Sequence, residues 1–152
     1  MYSPSSKAKA LFFIGFMVVT ASARLVAQQH EPITVTRLYT ASDGQTHAEN
    51  VEVKMSPATI YAEADASQAV KVSEAQFFRL PKGKVQDWHN PAHRQYVVTL
   101  SGRGEVEIAG GQKILLSPGR VVLLENVSGK GHITRSIGSE DLTFFIVPLA
   151  VR

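Results

Sequence analysis

The chain has 152 residues, of which 44% are hydrophobic and 19% are charged, and its formal net charge is +3. A chain of this length usually forms one domain, and this balance is typical of a folded soluble protein rather than a disordered one. The sequence contains no cysteine, which excludes disulfide bonds, thiolate catalysis and zinc bound through sulfur. Any metal would therefore have to bind nitrogen and oxygen ligands.

The N-terminal segment is predicted to be a secretory signal peptide. Lys7 and Lys9 precede the uncharged apolar run 10–20, and the small residues Ala21-Ser-Ala23 follow it. The run is shorter than the roughly 20 apolar residues that a membrane-spanning helix needs. This length favours a signal peptide over the alternative, a single membrane anchor.

Removal of this segment changes the charge of the chain. Cleavage can follow Ala23 or Ala27, and it removes two or three basic residues and no acidic one, so that the mature chain carries +1 or 0. The basic excess therefore gives no indication of nucleic-acid binding. We expect a signal peptide at residues 1–23 and one domain at 31–152. The mature domain is expected to be secreted or periplasmic, without membrane attachment.

Short runs rich in β-branched and aromatic residues, separated by turn residues, fill the rest of the chain. The predicted strands are 33–39, 50–54, 76–80, 95–100, 105–108, 113–116, 120–124, 132–135 and 142–147. Strands spaced by roughly 8–12 residues predict an all-β sandwich or barrel of antiparallel sheet. One short helix is expected around 57–68, where alanine and glutamate accumulate.

The segment that begins at Trp88 holds the most informative polar residues. If this segment is extended, His89, His93 and Gln95 point to the same side, because side chains of a strand alternate between its faces. Two imidazoles and an amide oxygen together suit iron, manganese, nickel or zinc. Polar residues that face solvent at the mouth of a barrel would give the same pattern.

Two patterns of glycine and histidine span the region 77–147. The residues of the first are Gly83, His89 and Gly102, and those of the second are Gly111, Pro118, Gly119 and His132, the last after a longer loop. They resemble the cupin motifs G-x5-H-x-H-x3-4-E-x6-G and G-x5-P-x-G-x2-H-x3-N, and the chain is also similar to a subgroup of small bacterial cupins. The resemblance implies an antiparallel jelly-roll β-barrel that binds a small molecule and forms a homodimer.

The chain departs from the first cupin motif at two ligand positions. Pro91 stands in place of the second histidine, and Gln95 stands in place of the glutamate. The resemblance therefore implies a reduced metal set of His89, Gln95 and His132, supported by His93. Because this set is neutral, we expect it to bind a divalent metal more weakly than a set that contains a carboxylate.

Four further residues are candidates for the site. Glu125 precedes the loop that leads back to the second-motif histidine and is the candidate catalytic proton carrier, although a solvated loop acid is the alternative. Trp88, His93 and Tyr96 are predicted to line the ligand pocket. Trp88 would instead cap the core if it simply ends a strand.

These observations predict an exported small cupin that binds a small organic ligand, with one divalent metal as a possible cofactor. Dioxygenase, isomerase and cyclase chemistry all occur on this fold, so the resemblance does not choose among them. The alternative is a non-catalytic binding module with a degenerate metal site, and a structural dimer with an empty barrel is a third interpretation. The sequence has no nucleophile elbow and no nucleotide-binding glycine motif.

Overall fold

The structure, a computed structural model, describes residues 31–59 and 63–150. In these residues it contains twelve β-strands and one short 3-10 turn at Ala109–Gly111. The strands are β1 (Thr34–Thr40), β2 (Thr46–Glu52), β3 (Met55–Pro57), β4 (Asp65–Ser67), β5 (Gln76–Leu80), β6 (Val85–His89), β7 (Gln95–Ser101), β8 (Gly104–Glu107), β9 (Lys113–Leu116), β10 (Val121–Glu125), β11 (His132–Ser136) and β12 (Leu142–Pro148). Each strand predicted from the sequence is present, with ends that differ by a few residues.

Strands β5 to β12 form a jelly roll. In the first sheet β5, β12, β7 and β10 are neighbours in that order, and the second sheet has the order β6, β11, β8, β9. Successive strands lie in opposite sheets, except that β8 and β9 pair directly as a hairpin. This alternation of eight strands between two sheets is jelly-roll topology. The predicted all-β jelly roll is therefore confirmed.

The first two strands extend the first sheet beyond β10. Strand β1 pairs with β10 in parallel and with β2 in antiparallel orientation, which makes this sheet six-stranded. Every other pairing among the described strands is antiparallel. The prediction of antiparallel sheets thus holds for the jelly roll itself, and the parallel pair belongs to the added strands.

The hydrophobic core lies between the two sheets. Its members are the buried apolar side chains Leu38, Leu80, Val97, Val106, Ile108, Ile114, Leu116, Val122, Leu124, Leu142 and Phe144. They come from alternate positions of their strands, as Val122 and Leu124 of β10 illustrate, because successive side chains of a strand point to opposite faces. Full burial of one such side chain stabilises the fold by about 1.5–3 kcal/mol, and these contacts hold the domain together without disulfides.

The outward face of the six-stranded sheet is also apolar in one row. Phe145 lies opposite Phe77 on one side and Val98 on the other, and Val98 lies opposite Val121. The ring centroids of Phe77 and Phe145 are 5.1 Å apart, and Phe77 is 75% exposed. This row departs from the usual pattern of an antiparallel sheet, in which the outward face is polar.

The expected helix around 57–68 is not formed by the described residues, and this prediction is wrong. Met55–Pro57 and Asp65–Ser67 pair instead as the antiparallel strands β3 and β4, and residues 60–62 lie outside the described part. Alanine and glutamate are good helix formers, but helix propensity is a weak determinant that tertiary context overrides. Without an apolar stripe to bury, that preference does not outweigh the strand pairing.

Strand β6 was missed because its inward side chains are polar. Gln86 and His89 line the interior, so the apolar alternation that marks a half-buried strand is absent from Val85–His89. Sequence periodicity therefore fails at the strand that carries a site residue.

Among residues 31–59 and 63–150 there is no helix long and apolar enough to span a membrane. The signal peptide predicted at 1–23, with both of its cleavage positions, lies outside the described residues. The signal peptide and the domain bounds 31–152 therefore stay predictions.

Candidate functional site

A cavity of about 260 Å³ lies between the two sheets of the jelly roll. Most of its lining is apolar, and the polar lining residues are Gln76, Gln86, His89, Gln95, His132 and Thr134. No aspartate, glutamate, lysine or arginine among the described residues lines it. The cavity is thus a mostly apolar space with a few polar side chains on its wall.

Two histidines face each other on this wall. His89 ends β6 and His132 begins β11, and the antiparallel register of these strands places the two residues directly opposite each other. Opposite residues of an antiparallel pair project from the same face. The ring centroids are 4.4 Å apart and the ring planes are tilted by 55°. The two histidines that carry the cupin resemblance therefore meet, as the resemblance implies.

Glycine at position 131 allows this close approach of the strands. A Cβ atom there would lie 2.2 Å from the carbonyl oxygen of His89, and Gly131 has a φ of +76°. Both the contact and the left-handed backbone conformation exclude a side chain without rearrangement. The start of β11 can therefore lie against the end of β6 only because residue 131 is a glycine.

His132 is held by a buried side-chain network. The residue is 2% exposed, and Nδ2 of Asn126 lies 2.8 Å from its Nδ1. The same amide nitrogen donates a second hydrogen bond, of 3.3 Å, to Oγ1 of Thr46. Asn126 is fully buried, and its Oδ1 has no hydrogen-bond partner among the described residues. The ring of His132 is thus fixed by an amide group that is itself enclosed by the fold.

Burial also determines the charge of His132. Desolvation of the buried ring lowers the pKa of His132 to about 3, and electrostatic repulsion from His89 makes a smaller contribution in the same direction. Its ring is therefore neutral near pH 7.

His89 is oriented by its own strand. Its Nδ1 lies 2.7 Å from the backbone carbonyl oxygen of Asp87, and its ring is less deeply buried than that of His132. This hydrogen bond uses one ring nitrogen and leaves Nε2 for other contacts.

The segment between β6 and β7 places two predicted ligands differently. Gln95, the first residue of β7, lines the cavity as expected, whereas His93 is exposed and is not part of the lining. Strand β6 ends at His89, so strand alternation does not continue through the turn that follows. Pro91 and Ala92 line the cavity from this turn instead of His93.

Glu125, the predicted proton carrier, lies at the end of β10 and does not line the cavity. Its Oε2 accepts a hydrogen bond of 2.5 Å from Nε of Arg37, and its Oε1 accepts one of 2.8 Å from Nε of Arg94. Burial opposes ionisation of Glu125, but the two arginines outweigh it and lower the pKa of the carboxyl group. This position gives no support to a role in moving protons within the cavity.

The other two predicted pocket residues also lie away from the cavity lining. Trp88 is 38% exposed, and Nζ of Lys130 lies 4.5 Å from the centroid of its ring. Tyr96 is half-buried and, together with Val53 and Gln68, lines a separate surface depression. Neither residue is positioned to contact a molecule inside the barrel.

Four polar residues of the site were not predicted from the sequence. Gln76, Gln86 and Thr134 line the cavity, and Asn126 holds His132. A polar residue at the start of the mostly apolar strand β5 was the available signal for Gln76. Thr134 lies in the mostly polar strand β11 and carried no such signal. Asn126 carried no such signal, since its partner is reached only through the fold.

The fold and the cavity define a jelly-roll protein with a pair of histidines inside its barrel.

No family model matches this chain, and no curated protein matches it. A conserved protein of unknown function from Streptococcus pyogenes is 19% identical, with a TM-score of 0.42, over 51% of this chain and 64% of that chain. A cupin 2 conserved barrel domain protein from Salinispora arenicola is 19% identical, with a TM-score of 0.42, over 51% of this chain and 62% of that chain. A cupin domain from Bordetella pertussis is 18% identical, with a TM-score of 0.43, over 55% of this chain and 91% of that chain. The match covers less than two thirds of the length of the first two structures.

The role of Gly131 can be measured against a matched glycine. We expect Gly131→Ala to lower the free energy of unfolding by clearly more than about 1–2 kcal/mol, the cost of a left-handed alanine alone. Gly119→Ala is the control, because Gly119 has a φ of +85° but no atom within 4 Å of the added Cβ. Urea denaturation measures both. Equal losses would show that the close approach to His89 contributes nothing.

The buried neutral state of His132 predicts a dependence of stability on pH. Its pKa is about 3 in the fold and near 6.5 in the unfolded chain, so the unfolded chain binds one more proton in this window. The contribution is fully present above pH 6.5 and is lost as pH falls towards 3, by at most about 1.4 kcal/mol per pH unit. We expect His132→Gln to reduce this slope in urea denaturation between about pH 7 and pH 5. The exposed control His93→Gln should keep the slope, and an unchanged slope in His132→Gln would contradict the assignment.

Proposed function

We propose that this protein binds a small, largely apolar organic molecule in the cavity between its sheets. The observation that carries the proposal is the cavity itself, with about 260 Å³ of space, a mostly apolar lining and two hydrogen-bonding imidazole rings side by side on its wall. Apolar cavities with a few convergent polar groups are the usual form of small-molecule sites. The volume is at the lower end for such sites, which favours a ligand about the size of a substituted benzene ring.

A tightly bound divalent metal does not fit the donor set of this cavity. His89, Gln95 and His132 would be its ligands, but this set contains no carboxylate to offset the charge of a divalent cation, and no aspartate or glutamate among the described residues lines the cavity. A metal-binding imidazole normally donates its other N–H to an acceptor. His132 instead receives a hydrogen bond at Nδ1 from the amide nitrogen of Asn126. We therefore favour the non-catalytic binding module over a metal-dependent enzyme.

Closing the cavity at its rim tests the proposal. Ala92 lines the cavity and is also exposed, so Ala92→Trp should fill the entrance without disturbing the core. With toluene as the probe, we expect ligand-observed NMR to detect binding to the native chain. Ala92→Trp should weaken it by at least about tenfold.

The control is Ser139→Trp, which adds the same side chain at an exposed position outside the cavity lining. Toluene should bind this variant as it binds the native chain. The absence of toluene binding to the native chain, or equal binding to Ala92→Trp, would contradict a ligand site in the barrel.

We also propose that the mature domain works outside the cytoplasm. The support is the order of basic residues, an apolar run and small residues within 7–23. Expression of the full chain in a bacterial host should give a periplasmic or secreted protein that lacks residues 1–23 or 1–27, as measured by intact mass. A full-length protein retained in the cytoplasm would contradict export.

A further inference from the structure

We infer that His89 and His132 form a donor–acceptor pair that recognises a neutral ligand group with an adjacent hydrogen-bond acceptor and donor, such as a carboxamide. The choice of ligand rests on the proposed function of the cavity. The assignment of the ring protons does not, because it follows from contacts within the protein.

The proton of His132 is placed by Asn126. An amide nitrogen only donates, so Nδ1 of His132, which lies 2.8 Å from Nδ2 of Asn126, is the acceptor. A neutral imidazole carries one proton, which must then be on Nε2. Both amide hydrogens are used in this arrangement, since the second bonds to Oγ1 of Thr46.

The opposite orientation of the Asn126 amide is less favourable. In that orientation the NH2 group would take the present position of Oδ1, where the described residues offer no hydrogen-bond partner. Its two N–H donors would then be buried and unpaired. In the observed orientation the only unsatisfied atom of this side chain is that carbonyl oxygen. Buried carbonyl groups with a missing partner are less rare in folded proteins than unpaired buried N–H groups. The network therefore favours the proton of His132 on Nε2.

The proton of His89 is placed by the backbone. A carbonyl oxygen only accepts, so Nδ1 of His89 must donate to the carbonyl of Asp87, at 2.7 Å. In the neutral ring this leaves Nε2 unprotonated, with its lone pair available. The two histidines are thus fixed in opposite tautomers.

Together the rings offer one donor and one acceptor on the same part of the cavity wall. His132 has Nε2–H to give and His89 has Nε2 to receive, and the ring centroids lie 4.4 Å apart. The hydrogen bonds of these two described side chains go to Asn126 and Asp87 and not to each other. A ligand carbonyl can therefore accept from His132 while the N–H of the same carboxamide donates to His89.

The remaining lining excludes charge from the ligand. No aspartate, glutamate, lysine or arginine among the described residues lines the cavity, and an unpaired charge moved from water into such a space is strongly unfavourable. A carboxylate of the same shape would in addition lack the hydrogen that the acceptor nitrogen of His89 needs. The pair therefore selects a neutral carboxamide over its carboxylate analogue.

The tautomers can be observed directly. In protein labelled with nitrogen-15 at histidine, long-range proton–nitrogen NMR near pH 7 should show His132 protonated at Nε2 and His89 protonated at Nδ1. The variants His89→Gln and His132→Gln assign the two signals. Protonation of both rings at Nδ1, the arrangement that suits a metal, would overturn the inference.

The variant Asn126→Asp should reverse the tautomer of His132. A carboxylate can only accept, so it would hold the proton on Nδ1 and leave Nε2 free to bind a metal. We expect the affinity for Zn²⁺, measured by calorimetry, to rise by at least about tenfold over the native chain. Asn50→Asp, which adds the same charge at an exposed position of β2, is the control and should show no gain.

Native protein that binds Zn²⁺ stoichiometrically and as tightly as Asn126→Asp would overturn the inference. If Asn126→Asp does not fold, the NMR measurement on the native chain decides alone.

Three monosubstituted benzenes test the ligand class, namely benzamide, its isostere benzoate, and toluene. We expect benzamide to bind on the order of tenfold more tightly than toluene, because it adds two hydrogen bonds, and benzoate to bind least. Equal binding of benzamide and toluene would refute recognition by the pair and leave the cavity function intact. Binding of none of them would refute the proposed function, and the tautomers would still be decided by NMR.

Discussion

The pairing of β6 with β11 is the constraint on which the site depends. It joins the two cupin-like patterns of the sequence and brings His89 opposite His132, so that both rings enter the same cavity. The pairing is close because Gly131 has no side chain to collide with the backbone of β6. A longer separation would leave two independent histidines on the barrel wall. At the observed separation they act as one recognition element.

Glu125 and Asn126 link ion pairs on the outer side of the barrel to the position of His132 inside it. Neighbouring residues point to opposite faces near the end of a strand. Glu125 is fixed on the outer side by Arg37 and Arg94, and Asn126 is turned inward to His132. The backbone carbonyl of Asn126 accepts a further hydrogen bond from Nδ2 of Asn90. Glu125, which was predicted to carry protons, therefore has a structural role. It fixes the end of β10, and this position allows the neighbouring Asn126 to contact the ring of His132.

The sequence predicted the jelly roll well and the site only in part. Strand prediction succeeded wherever apolar residues alternate, and it failed at β6, whose inward residues are Gln86 and His89. The histidine pair was found because glycine spacing marked His89, and because the resemblance to the second motif indicated His132 across a longer loop. His93 was placed in the pocket by extending strand alternation across a turn, and Asn126 was missed because nothing local links it to His132. Such contacts between distant parts of the chain depend on register and strand ends, which periodicity does not determine.

Three features of the site reduce its capacity to bind a metal. Pro91 and Gln95 stand where the motif that this chain resembles has a histidine and a glutamate, and both line the cavity. These two changes remove an imidazole and a negative charge from the wall. Asn126 adds a third change, because its hydrogen bond to Nδ1 of His132 places the proton on the nitrogen that a metal would need. Loss of the two ligands alone would leave a weaker chelating site. The amide instead converts the remaining pair of histidines into complementary hydrogen-bonding groups, and this is the arrangement that a neutral ligand can use.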